Sequence, residues 1–292
     1  MDVLLVGSDS PVGVALQGAF VQWGRHRALP LTAAASRWRS ERQAKKVARK
    51  GEPDAVVDLR IANTISAGEK LTDVDLERSH WLAKACERSG MRYVLLSSDR
   101  AFSGRTSRAL RESDAPDALD EAGLQLVDTE ERVAAASPTS IVLRTGPLFA
   151  DFQPNLLTRI MSAMGSERAA VFDDRDVLCP VAALDAARVL AAILDQLGVG
   201  APASGVFHYG SGDRATEYGF AEASLAAASQ FADCGDVVIH PSPPDDAQPS
   251  VRRVLECSRL RDAFAIKQVP WRGFINAVVK QYIQRQQEAG KR

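Results

Sequence analysis

Tyr93-Val94-Leu95-Leu96-Ser97-Ser98-Asp99-Arg100-Ala101-Phe102-Ser103-Gly104 is the stretch on which the fold is decided. Its first four residues form a short apolar run, which reads as a buried strand. Ser97, Ser98 and Asp99 end that strand with small polar side chains able to face a ligand. Ala101 to Gly104 reads as a turn. Glu112-Ser113-Asp114 and Pro116 follow, and a helix is entered near Gly123. A strand whose carboxyl end presents hydroxyls before the chain returns as a helix is one unit of an open α/β sheet. Such sheets bind ligands in the crevice outside their strand ends.

The segment Ser97 to Gly104 resembles the Ser-Thr-Asp-Tyr-Val-Phe-x-Gly segment of dTDP-4-dehydrorhamnose reductases, members of the extended short-chain dehydrogenase/reductase superfamily. Glu112-x-Asp114-x-Pro116 and Gly123…Glu130 continue the resemblance without a gap. The resemblance implies a Rossmann-like, doubly wound parallel sheet. Residues 1–150 would form the NAD(P)-binding domain, and 151–292 a smaller substrate-binding region interleaved with the sheet. It also implies NADP, or else NAD, as cofactor and a nucleotide or sugar nucleotide as ligand.

The family pattern next expects Tyr-Gly-x-x-Lys-x-x-Gly-Glu. This chain has Ala122-Gly123-Leu124-Gln125-Leu126-Val127-Asp128-Thr129-Glu130, so the Tyr and Lys positions hold Ala122 and Leu126. The family reaction needs an acid to protonate a carbonyl oxygen as hydride arrives. A Tyr does this with its pKa lowered by a Lys four residues later on the same helical face. Ala122 has no proton to give and Leu126 has no charge. Both positions are expected to face the cleft, where Ser98 and Asp99 are the nearest substitute acids.

Working outward, Val3 to Val6 reads as the first strand, Gly7 to Gly13 as the turn and Val14 to Trp23 as the first helix. Dinucleotide folds place glycines here so that backbone N–H groups approach a pyrophosphate at a helix N-terminus. The related reductases use Gly-x-x-Gly-x-x-Gly. Gly7 and Gly13 are kept, Ser10 stands in the middle, and Pro11 removes one donor. Ala28 to Leu31 is a weak second strand with no acid at its end. Arg37 and Arg39 follow, and this tilts the cofactor preference towards NADP. Arg37 to Lys50 reads as a basic helix, most simply a solvated face. Asp54 to Leu59 is the third strand, with Asp58 near its end as a further cofactor-site candidate beside Ser97. Arg60-Ile61-Ala62 replaces the small-residue turn that the reductases place beside the cofactor. Arg60 there either occludes the site or binds an anion.

Val74 to Ser89 reads as a helix, Thr139 to Gly146 as a strand, and Leu156 to Met164 and Asp185 to Leu197 as helices. Gly205 to Tyr209 is a further strand in which His208 reads as structural. Pro241 to Pro249 reads as a mobile loop. Arg252 to Leu260 resembles the Leu-Asp-x-Ser-Lys-Leu segment of the reductases. A last helix runs from Pro270 to Ile283, and Gln284 to Arg292 reads as a fraying tail.

Composition narrows the classes. A net charge of −1 supplies no global field favouring nucleic acid or membrane. Four scattered cysteines argue against a structural zinc or a disulfide framework, and fit a cytoplasmic protein. No signal peptide or membrane span is read. Three functional readings stay open: a non-catalytic binding protein acting through a protein partner, an NADPH-dependent 4-keto sugar nucleotide reductase with an unusual acid, and a structural subunit with a closed cleft. The oligomeric state is not legible.

Overall fold

The strand and helix signals alternate in the folded chain as they do in the sequence. The computed structural model describes residues 1–166, 169–243 and 249–290. The first half runs β1 (Asp2–Val6), α1 (Pro11–Trp23), β2 (Arg27–Leu31), α2 (Glu41–Ala48), β3 (Ala55–Asp58), α3 (Arg60–Ser66), α4 (Asp73–Glu87), β4 (Arg92–Ser98), α5 (Glu121–Ala136) and β5 (Ile141–Thr145). The second half runs β6 (Leu148–Phe149), α6 (Leu156–Ser166), β7 (Ala169–Phe172), β8 (Val181–Ala182), α7 (Ala183–Gly198), β9 (Gly205–Tyr209), α8 (Glu217–Ala228), β10 (Val238–Pro241), α9 (Ser258–Phe264) and α10 (Arg272–Ala289).

Six strands form one parallel sheet in the order β2-β1-β3-β4-β5-β9. The order reverses between β1 and β3, since the chain leaves β1 for β2 on one side and returns to β3 on the other. That reversal is the switch point of a doubly wound sheet. Side chains of β1 alternate between its two faces, as a strand period of two requires. Val3 and Leu5 join the core formed with α1 and α7, including Leu16, Phe20, Leu190 and Leu194. Leu4 and Val6 join the opposite core with α2, α4 and α5, including Ala44, Leu82, Leu126 and Val133. A third cluster holds α6, α8 and α10 together around Phe149, Phe220 and Trp271, with the last two rings 4.8 Å apart. β9 carries the chain from this smaller region back into the main sheet.

Three expectations are corrected. The basic helix is shorter than Arg37 to Lys50: it begins after Ser40, whose side chain accepts the N–H of Gln43, so Arg37 and Arg39 lie outside it. Arg60 to Ala62 is no turn, but the first part of α3. Gln284 to Ala289 continues α10, because this stretch of good helix formers is anchored by the Arg285–Asp151 ion pair and by Arg285 stacked 4.8 Å over Phe152. Of the loop expected at Pro241 to Pro249, Pro241 ends β10, while residues 244–248 lie outside the described residues.

Candidate functional site

The carboxyl ends of β4 and β5 open into a cavity of about 390 Å³. That volume falls within the usual range for small-molecule sites. Its floor is Ser97, Ser98, Asp99, Thr145 and Gly146, and Arg100, Arg159 and Arg253 border it. Val251 and Arg253 also line it, from segment 251–256, which is stitched to the β4–α5 connection. Arg252 N–H donates to the Gly104 carbonyl at 2.8 Å, Leu110 N–H to Val254 at 2.7 Å, and Glu256 N–H to Leu110 at 2.7 Å. Sequence reasoning missed Arg253, Arg100 and Arg159 as site residues. Arg100 adjoins Asp99, Arg159 comes from α6, and Arg253 reaches the cavity only through this tertiary stitching.

Asp99 is 2% exposed and accepts the Ser98 hydroxyl at 3.0 Å. Burial pushes its carboxyl up to about 6, against the opposing pull of Arg253, the Ser98 hydrogen bond and Arg100. Arg100 is engaged by Asp120 at 2.8 Å and Arg159 by Glu217. Arg253 donates its Nε–H to the Phe102 carbonyl at 2.8 Å and forms no ion pair among the described residues. It is the cation best placed to meet an anionic group entering the cavity.

Ser97 is fully buried, and its hydroxyl donates to Glu130. Glu130 in turn holds Arg144 through contacts of 2.5 to 3.1 Å. Arg144 lies 4.9 Å over the ring of Phe102, whose edge meets His208 at 5.6 Å. Burial is the main cause pushing His208 down to about 3, with the Arg144 charge adding to it, so it stands neutral in the core. This network ties β4, α5, β5 and β9 together and fixes the backbone that presents Ser98 and Asp99.

Ala122 and Leu126 do not line the cavity. Leu126 is 0% exposed and belongs to the core cluster that includes Val6, Ile61, Ile65, Leu71 and Ala101, and Ala122 packs against the same cluster. The expectation that both face the cleft is therefore corrected: both pack into the apolar core on one face of the sheet.

The β1–α1 turn keeps its scaffold glycines. Gly7 adopts φ +83°, open to glycine at little cost, and a Cβ on Gly13 would lie 2.6 Å from the Gly7 carbonyl oxygen. Its donors, however, are largely engaged. Gly7 and Ser8 both donate to the Leu31 carbonyl, at 2.8 and 3.1 Å, and Ser10 donates to Gly7 at 3.0 Å. Ser10 spends its hydroxyl capping α1 through the N–H of Gly13, and Pro11 has none to offer. Gln153 crosses the turn to the Asp9 carbonyl at 3.0 Å. Between this turn, Leu59, Asn63 and residues 148–155 remains a cavity of about 20 Å³. That is room for about one water molecule. Asp58 does not face the crevice either. It is fully buried, and its carboxylate accepts from Arg60, Ser79 and Tyr93 at 2.6 to 3.0 Å. Arg37 and Arg39 are exposed.

Comparison with known proteins agrees with the topology. A dTDP-4-dehydrorhamnose reductase from Burkholderia thailandensis is 25% identical over 296 residues, covering 96% of this chain and 98% of that one. A crystal structure of a dTDP-4-dehydrorhamnose reductase from Bacillus anthracis in complex with NADP superposes with a TM-score of 0.79 at 15% identity, over 95% of this chain and 98% of that one. The Clostridium acetobutylicum reductase structure gives 0.76 at 18% identity, over 98% and 100%. These two likenesses establish the fold. The sequence model of one family, the RmlD substrate binding domain, matches residues 1–284, and the chain belongs to that family.

Proposed function

We propose that this protein binds a sugar nucleotide, or a related nucleotide, in the cavity at the ends of β4 and β5, and does not perform the reduction for which its relatives are named. The observation that carries this reading is the burial of Leu126 in the apolar core where the reaction needs a charged group. The cavity itself keeps binding chemistry. Arg253 offers a guanidinium suited to phosphate oxygens. Ser98 and Asp99 offer a hydroxyl and a carboxyl for sugar or base. A ligand held without turnover suits a regulatory or partner-binding role.

Two measurements test it. Calorimetric titration with dTDP should give saturable binding, weakened about ten- to a hundredfold by Arg253→Met, the worth of one charged hydrogen bond. Steady-state NADPH oxidation with a dTDP-4-keto-6-deoxy sugar should stay at background. A turnover near roughly 1 s⁻¹, within the ordinary enzyme range, would overturn the reading.

One observation favours a second reading, in which the protein is an NADPH-dependent reductase. Asp99 lines the cavity with its carboxyl held up to about 6, near the pKa that suits a general acid. Turnover that Asp99→Asn abolishes would establish it.

A further inference from the structure

A dinucleotide on a doubly wound sheet lies across the crevice at the switch point, one half on each side. Here a side chain of the protein itself packs beside the β1–α1 turn. Arg60 follows β3 directly, and a Cβ placed on Gly7 would sit 3.5 Å from the Arg60 Cγ and backbone nitrogen. Its guanidinium turns back to form a bidentate pair with Asp58, at 3.0 and 2.6 Å, and donates to Ser79 at 3.1 Å. It also stacks 5.0 Å from the ring of Trp38, which follows β2. Trp38 is itself buried in the core cluster of Val6, Ile61 and Ile65. Residues that follow the two strands flanking β1 thus meet at the Arg60 guanidinium.

We infer that Arg60, locked by Asp58 and stacked on Trp38, occupies the switch-point crevice, so that this chain excludes dinucleotides and accepts only a ligand of mononucleotide size in the neighbouring cavity. The inference goes beyond the proposed function: loss of the proton donor would stop reduction without closing the crevice. The anion-binding alternative for Arg60 fails on geometry, since its charge is already matched by a buried carboxylate. The plug is also self-consistent. A buried guanidinium is tolerable only with its partner and hydrogen bonds in place, and Asp58, Ser79 and Tyr93 complete that shell.

The test is titration of the full chain with NADPH, followed by nicotinamide fluorescence. The wild type should show no saturation up to roughly 1 mM, the weak end of the affinity scale. Two variants open the crevice by different routes. Asp58→Ser with Arg60→Ala removes both charges together, leaving no orphaned ion, and Trp38→Ala removes the stacking surface while leaving the pair. Each folded variant, judged by a cooperative thermal melt, should gain at least about tenfold in NADPH affinity. If the double variant does not fold, Trp38→Ala decides alone. A wild type that saturates at micromolar NADPH overturns the inference, and so do folded variants that bind no better than wild type. dTDP binding measured on the same preparations reports on the neighbouring cavity. Its absence would sink the proposed function and leave the plug standing.

Discussion

Asp99→Asn should stabilise the protein at neutral pH and leave its stability almost unchanged in acid. Asp99 is 2% exposed, and its carboxyl rises from an ordinary 3.8 to about 6 because burial disfavours the charge. A pKa raised on folding means that the folded state prefers the neutral acid. The associated stability is complete below about pH 4, where folded and unfolded chains are both protonated, and is lost as pH rises through about 6. A difference of about two pKa units is worth about 3 kcal/mol. Asn keeps the shape and still accepts the Ser98 hydroxyl, but never ionises. The variant should therefore match wild type near pH 4 and exceed it by about 3 kcal/mol near pH 7.5. Other titrating groups, such as the raised Glu112 and the lowered Asp114, occur in both proteins and cancel in the difference. Urea denaturation across this pH range, read by tryptophan fluorescence, supplies the numbers. A difference that stays within about 0.5 kcal/mol at every pH, the size of an ordinary surface substitution, would refute the reasoning. The same titration should govern ligand affinity: an anionic ligand should bind more tightly to wild type below pH 6, and Asp99→Asn should flatten that dependence.

Three further outcomes follow from the geometry. Arg144→Met leaves Glu130 buried with only the Ser97 hydroxyl, and should cost about 3–5 kcal/mol in urea denaturation, while adding Glu130→Gln should recover part of it. Leu126→Lys places an ammonium in an apolar cluster and should cost about 4 kcal/mol, the equivalent of roughly three pKa units; a loss under about 1 kcal/mol would mean that α5 turns this position to the cavity. Gly146→Ala would put a methyl group 2.0 Å from the Cys179 carbonyl oxygen and should lower stability by about 2 kcal/mol or more, visible in thermal melts.

Strand identity was legible because apolar runs and their polar ends are local properties. Tyr93 to Leu96, Val3 to Val6 and Asp54 to Leu59 each mark a strand of the sheet. The start of α5 was legible too: a helix entered near Gly123 is expected, and α5 begins at Glu121 behind the Asp120 cap. Which way α5 faces was not. Leu126 turns into the buried cluster that also holds Ile61 and Ile65 of α3. The sequence reads the first residues of that helix as replacing a turn, with Arg60 occluding the site or binding an anion. Only the folded chain brings Asp58, Ser79 and Tyr93 together to hold that charge inside. Asp58 was misplaced for the same reason: an acid at a strand end resembles a ribose ligand until its buried partners are seen. Arg253 was invisible because it reaches the cavity from a segment about 150 residues away from Phe102, with which it bonds across a separation of 151 positions.

The departures around the crevice have one physical logic. Gly7 and Gly13 serve the scaffold, one through a left-handed backbone and the other through close packing, and both are kept. Ser10 stands where a backbone would approach pyrophosphate, and it caps the helix instead. A site shaped for a cofactor that is not bound would be a water-filled or empty gap beside the core, and unfilled apolar volume costs stability. Leu126, Ile61, Ile65 and Trp38 pack together in one buried apolar cluster. Arg60 carries one charge beside this cluster, and Asp58 neutralises it. A Lys at 126 would put a charge into that cluster, and a shortened Arg60 would strand Asp58. The cavity at the ends of β4 and β5 borders this cluster through Ile65. Its floor is set by the separate Ser97–Glu130–Arg144 network, which is why Ser98, Asp99 and Arg253 still line an open site.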